Sequence, residues 1–211
     1  MKDWSALEEA AEAMRRLNRA VANFEVDDDG WRDLAVKAGE LADRLETGRV
    51  RSKELEVLSL PGWITVNEGR PLPVAVGDTV EFDPFSPGGG RLHPSAVGMT
   101  LRRDGEASVT AIVHVDPMFQ GPPGRVHGGV VALLIDELMG TVNRIVGRRA
   151  YTARLAVDLR APAPIATELT LRAWLHEERG RKITIKAEGR SAEGVFVEAE
   201  ALFVAPTPLA G

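Results

Sequence analysis

Cysteine is missing from the 211-residue chain. Its absence removes a disulfide scaffold, thiolate metal sites and a cysteine nucleophile together. No apolar run approaches the ~20 residues of a membrane span, and the start, "MKDWSALEEA", has no apolar signal segment, so the expectation is a cytoplasmic protein without a membrane partner. An excess of positive charge is also lacking. The net charge is -5, which offers no basic field to nucleic acid. The Gly-x-Ser-x-Gly elbow of serine hydrolases does not occur. The histidines at 93, 114, 127 and 176 show no metal-ligand spacing, so no metal or other cofactor is expected. "PGGG" at 87–90 lacks the Gly-Lys-Ser/Thr ending of a phosphate loop.

What is present is ordinary in bulk, with 44% apolar and 27% charged residues, and suits a globular domain with an appendage. Residues 1–50 read as a helical hairpin. Trp4, Leu7, Ala11, Met14 and Val21 make one stripe; after "DDDG", Trp31, Leu34, Ala38, Leu41 and Leu45 make another. Each helix is apolar on one face only and must pack on its mate, on the main domain or on a second chain. Residues 51–105 are turn and loop text ("PGW", "RPLP", "FDPFSPGGGRLHP"), with short strands around "VEF" and "GMTLRR". Together the two readings divide the chain into a 1–50 hairpin and a 51–211 main domain.

From residue 106 the text becomes regular. "ASVTAIVHVD" alternates. So do Tyr151, Ala153, Leu155, Val157 and Leu159 against Thr152, Arg154, Asp158 and Arg160, and then runs through 168–176, 182–186 and 195–204. "EERGR" and "RSAEG" are hairpin turns. Period-two alternation with one polar face predicts antiparallel strands. With the long apolar helix that starts near His127 to Val130, the fold class is α+β, a helix lying on an antiparallel sheet.

That helix begins in "GPPGRVHGGVVALLIDELMG". Its first N–H groups and positive dipole end await an oxygen carrying negative charge. Asp136 and Glu137 stand within its apolar run. Asp136, Gly140, Asn143 and Gly147 form one stripe; Glu137, Thr141, Arg144 and Arg148 form the next. For Glu137 the neighbouring arginines favour a solvated face over a substrate contact. For Asp136 the small uncharged stripe suits close contact with another backbone. Asp136 lies ~13 Å along the helix from His127, so one helix cannot bring the two together. Two antiparallel copies about a twofold axis can.

The stretch "FQGPPGRVHGGVVALLIDELMG", followed by "YTARLAVDLRAPAPI", "GRKITIKAEGR" and "EGVFVEAEALFVAP", closely resembles the hotdog-fold acyl-CoA thioesterases of the phenylacetate-pathway (PaaI-like) type, over roughly residues 80–205. The resemblance implies a central helix wrapped by a sheet, homodimers often paired into tetramers, and an acyl-CoA thioester bound at the dimer interface. It implies Asp136 as nucleophile or general base, with the N–H groups of Gly128 and Gly129 polarising the thioester carbonyl. His127 would orient the helix start and Thr152 would assist through its hydroxyl. Gln120 lies one place from where relatives carry an Asn or Gln near the carbonyl. Arg160, Arg181 and Lys182 would meet the phosphates of coenzyme A. The chemistry is consistent, because a thioester needs an oxyanion site and one base or nucleophile. Two rivals stay open: a hydratase on the same fold, and a non-catalytic acyl-CoA-binding protein that uses the hairpin for interaction.

Overall fold

The computed structural model describes residues 3–81 and 83–207. Residues 1–2, 82 and 208–211 lie outside it, among them Phe82 of the expected "VEF" strand and the outer ends of both expected units. Four helices come first: α1 (Ser5–Asn23), α2 (Asp28–Glu46), α3 (Lys53–Leu58) and α4 (Pro61–Asn67). The hairpin β1 (Thr100–Gly105) and β2 (Ser108–His114) follows, then the long helix α5 (Gly128–Ile145). The strands β3 (Tyr151–Leu159), β4 (Glu168–Arg179), β5 (Lys182–Ser191) and β6 (Gly194–Val204) complete the chain. The six strands form one antiparallel sheet in the order β1-β2-β4-β5-β6-β3.

α5 lies across one face of this sheet. Its buried residues Val131, Leu134, Ile135, Leu138, Met139, Val142 and Ile145 recur at three-four spacing. They meet the inward residues of the strands, among them Val109, Ala111, Leu171, Ile185 and Phe203. Alternation sets which strand residues join them: β5 runs exposed-buried along Lys182, Ile183, Thr184, Ile185. This is the helix on an antiparallel sheet that the alternation and the apolar helix predict, and the hotdog arrangement that the resemblance implies. The β4–β5 turn is closed by Gly180 at φ 59°, a left-handed conformation glycine adopts without steric cost.

The two N-terminal helices are present as expected, and one expectation about the residues after them needs correction. Of the packing partners that the stripes leave open, α1 takes the main domain. α1 is fixed to the body: Arg15 donates to the carbonyls of Arg91 and His93 at 2.9 Å each, Asn18 to Pro94 at 3.0 Å, and Asn23 to Asp116 at 2.9 Å. Trp4 packs edge-on against Phe85 with centroids 5.3 Å apart, within a small second core of Val57, Phe85 and Leu92. α2 has no buried residue at all. The correction is that 51–67 is not loop throughout but carries two short helices: Ser52 caps α3, and Pro61 opens α4 at a position where its missing N–H has no helical partner to lose.

Candidate active site

α5 starts where the glycine pair allows. His127 is its N-cap, and the imidazole Nδ1 accepts from the Gly129 N–H at 3.0 Å. His127 O accepts from Val130 and Val131. The Gly128 N–H has no partner among the described residues, so the helix start presents one unengaged donor and its dipole. Gln120 lies beside this start but its side chain is committed elsewhere, accepting from Gly124 N at 2.9 Å. Arg160 reaches the same end. It lines a cavity of about 290 Å³ with Gly128, Val131, Leu159 and Phe196, and pairs with Glu198 at 2.8 Å.

Nine residues on, Asp136 is half-buried and faces a different cavity, of about 300 Å³. Its Oδ1 accepts from the Thr152 hydroxyl at 3.1 Å. Simple alternation puts Thr152 on the face away from Leu155. A β-bulge at Ala153 reverses that: Thr152 pairs with Phe203, whose side chain points into the core, and Leu155 pairs with buried Ala201. One extra residue therefore turns both Thr152 and Leu155 toward α5.

Glu137 is not on a solvated face. Its carboxylate accepts from the Ser86 hydroxyl and, at 2.9 Å, from Gly88 N. Burial pushes its carboxyl above the ordinary glutamate value, against these hydrogen bonds and Arg144. Thr141 and Arg144 are buried with it, and Arg148 pairs with Glu178 at 2.9 Å instead. The Arg144 guanidinium stacks over Trp63 at 4.7 Å. Burial brings it down to about 10, opposed by the charges of Asp83 and Glu137. "PGGG" finds its use here. A Cβ on Gly88 would meet Glu137 Oε2 at 2.1 Å, and one on Gly90 would meet Ser86 N at 2.4 Å. The glycines let the loop fold tightly onto α5 and roof the cavity.

Arg181 and Lys182 sit at the β4–β5 turn, where Arg181 donates to Ala205 O at 2.8 Å. That is the end of the sheet where β3 begins, whereas Arg160 follows its last residue. Eight residue steps of β3, ~26 Å, separate the two ends. One protomer thus unites Asp136, Thr152 and Glu137 at one cavity and His127, Gly128, Gln120 and Arg160 at another place. Asn143 and Arg144, from the two helix stripes, line the cavity as well. Trp63, Asp83 and Ser86 are lining residues that the sequence patterns do not single out; only the neighbouring "PGGG" hints at them, as a segment built for close approach.

β3 forms one edge of the sheet, with no strand beyond it among the described residues, and its face is open: Tyr151 and Leu159 are 58% and 56% exposed. A nine-residue free edge is long for a protein that leaves it unpaired.

Known proteins match this arrangement. The family description "Thioesterase superfamily" fits residues 123–198. The acyl-coenzyme A thioesterase THEM4 of Bos taurus is 28% identical over 110 residues, 51% of this chain and 45% of that protein. The Xenopus laevis protein of the same name is 30% identical over 105 residues, 49% and 47% of the two chains. The chain thus spans about half the length of the curated relatives it matches. A crystal structure described as a thioesterase superfamily protein is 30% identical, with TM-score 0.76, and the match covers 96% of this chain and 92% of that one. That likeness extends through the N-terminal helices as well as the sheet, and the chain belongs to the thioesterase superfamily.

Proposed function

We propose that the protein hydrolyses acyl-CoA thioesters to the free acid and coenzyme A, at a site completed by a second copy of the chain. The observation that carries the reading is the separation along α5 of two half-sites. Asp136, oriented by Thr152, supplies a carboxylate at a cavity. The His127–Gly128 start of the same helix supplies an unengaged N–H and a positive dipole end ~13 Å away. Each half lacks what the other has. Antiparallel pairing of two protomers through the free β3 edge would continue the sheet and set each Asp136 against the other copy's helix start.

In that assembly the thioester carbonyl oxygen accepts from Gly128 N–H, whose fixed dipole stabilises the charge that develops there. Gly129 contributes by holding the His127 ring, because its N–H is engaged by Nδ1. Either Asp136 attacks the carbonyl carbon, the C–S bond breaks and water hydrolyses the resulting anhydride, or Asp136 takes a proton from water that attacks directly; in both routes the departing thiolate takes up the proton that the water releases. Arg160 of one copy and Arg181 and Lys182 of the other, at opposite ends of each sheet, come to the same side of an antiparallel pair and meet the phosphates.

The test is release of free thiol from a panel of acyl-CoAs, with light scattering on the same sample. Turnover by a dimer or tetramer, abolished in Asp136→Asn, is the expected result. A monomer that hydrolyses thioesters overturns the shared site. Tight acyl-CoA binding without turnover overturns the hydrolase in favour of a binding protein.

A further inference from the structure

The cavity beside Asp136 holds a side chain that the fold itself leaves unsatisfied. Asn143 is 2% exposed and lines the wall, and neither its Nδ2 nor its Oδ1 has a hydrogen-bond partner among the described residues. Buried amides are nearly always paired, and one that is not carries a desolvation cost. Nothing in the packing of α5 requires it. The neighbouring wall residues Val66, Phe203 and Ala150 are apolar, and an aliphatic residue at 143 would fit among them without that cost.

The cavity also has a direction. Asp136 and Asn143 are seven residues apart on α5, which places them on one face about 10.5 Å apart along the axis. An extended chain advances ~1.2 Å per bond, since three backbone bonds span ~3.3–3.6 Å. Roughly eight bonds therefore lead from a carbonyl carbon at Asp136 to a group at Asn143. At that deeper end the charges are already balanced against an anion. Arg144 is flanked by Asp83 and Glu137, and Asp136 stands at the near end. The other cations in the wall, Arg148 and Arg149, lie at the exposed rim, paired with Glu178 and the Tyr151 hydroxyl.

We propose that this cavity receives an acyl chain of about eight atoms whose far end bears a neutral hydrogen-bonding group, a hydroxyl or carbonyl, and that Asn143 is the residue that selects it. The proposal rests on the acyl-CoA reading above and names the acyl class within it. A neutral hydroxyl can both donate to Oδ1 and accept from Nδ2 after a small rotation of the amide. A methyl end leaves the amide unpaired. A carboxylate end adds a negative charge to a wall that already sets Asp83 and Glu137 against Arg144.

Three thioesters of equal length test it: octanoyl-CoA, ω-hydroxyoctanoyl-CoA and the half-thioester of octanedioic acid. The expected result is kcat/KM at least tenfold higher for the ω-hydroxy chain than for either other, the discrimination expected when one buried polar group is paired or left unpaired. Calorimetric binding of the same three, on the Asp136→Asn protein, reads the pocket without turnover and should rank them alike. That separates the two ideas: absent turnover with the ranking intact sinks the hydrolase alone. Equal values for the methyl and hydroxyl chains, or preference for the carboxylate, overturns the pocket while leaving hydrolysis standing. In Asn143→Leu the ratio of kcat/KM for the ω-hydroxy chain over octanoyl-CoA should fall to about one. A preference that survives this change assigns it to another residue and also overturns the proposal. The comparison within the unmodified protein stands even if that variant fails to fold.

Discussion

From Thr100 to Val204 the chain is held by repetition, and from Asp3 to Met99 by individual contacts. In the later region every strand is fixed by a ladder, and α5 buries its apolar face at regular spacing. In the earlier region the anchors are single events: Arg15 on two loop carbonyls, Trp4 on Phe85, Glu137 on Ser86 and Gly88. Both regions border the cavity at Asp136. The later one supplies the candidate chemistry, Asp136 and Thr152; the earlier one supplies the roof. A fold can thus present a carboxylate from a regular layer and shape the space around it with a separate, less regular one.

The largest effect should fall on the chemistry side. Asp136→Asn is nearly isosteric, keeps an acceptor for the Thr152 hydroxyl, and removes the charge. Turnover of a medium-chain acyl-CoA should drop at least 10²–10⁴-fold, the range for a lost general base, with thermal stability little changed. Stopped-flow thiol release and a melting curve on one preparation check both halves. Near-normal turnover would make the carboxylate structural and dissolve the division of labour between the layers.

The regular layer is legible in the sequence because its periods are local. The strands at 151–159, 168–179, 182–191 and 194–204 and the helix from Gly128 announce themselves through alternation and three-four spacing. Asp136 and Thr152 are legible as a pair only through resemblance, since the bulge at Ala153 that joins them leaves no mark in the alternation. Glu137 misleads because its partners are fifty residues away in sequence, in a loop whose glycines signal close approach without saying to what. The arginines near Glu137 look like a solvated ladder. Arg144 is instead buried against Trp63. Long-range contacts of single side chains, unlike ladders, have no period to read.

Two glycines separate the regions next. Gly88→Val puts a side chain where Glu137 Oε2 stands, 2.1 Å from the new Cβ, and should lift the roof from α5. The expected cost is about 1–3 kcal/mol, or several degrees in Tm, with KM rising more than kcat falls. Gly140 is also at the cavity, but on α5, where a new Cβ would meet nothing within 4 Å. Gly140→Ala should stabilise the protein by up to ~1 kcal/mol through helix propensity. Scanning calorimetry on the pair decides. Equal destabilisation would mean that a second copy crowds Gly140 closely, a contact one protomer does not contain.

Glu137→Gln should act at smaller scale and with a pH signature. Gln keeps an oxygen for the Gly88 N–H and can donate its amide N–H to the Ser86 hydroxyl, so what is lost is the charge on the acceptor, worth roughly 1 kcal/mol. The pH effect has the opposite sign. Because burial raises the folded carboxyl above its ordinary 4.5, the folded state holds its proton more tightly than the unfolded one. Stability from this group is present below the ordinary value and is lost as pH rises through the raised one. Denaturant melts across that window should slope downward with rising pH in the wild type and lie flatter in Glu137→Gln. Identical slopes would show that the carboxyl is solvated, and that the roof is held by the loop's own hydrogen bonds.

The smallest effect falls on α2, which carries an apolar stripe like that of α1 in different surroundings. Ala11 of α1 is 3% exposed beneath the anchored helix, whereas Leu41 and Leu45 of α2 are 56% and 80% exposed. Ala11→Lys drives a charge into that contact and should cost several kcal/mol, because no acid is arranged to receive it. Leu41→Lys on α2 removes no contact within the protomer. Its expected effect on the stability of a single copy is within about ±0.5 kcal/mol, the range for exposed positions away from special features. Exposed leucines in a nineteen-residue helix are nevertheless costly to solubility. Leu41→Lys should therefore raise the concentration at which the protein stays dispersed, leaving thiol release per folded chain untouched. The measurement pairs denaturant unfolding at low protein concentration with light scattering at high concentration. Destabilisation by more than about 1 kcal/mol that grows with protein concentration would place α2 on a second copy, and its stripe would then be an interface rather than an open face.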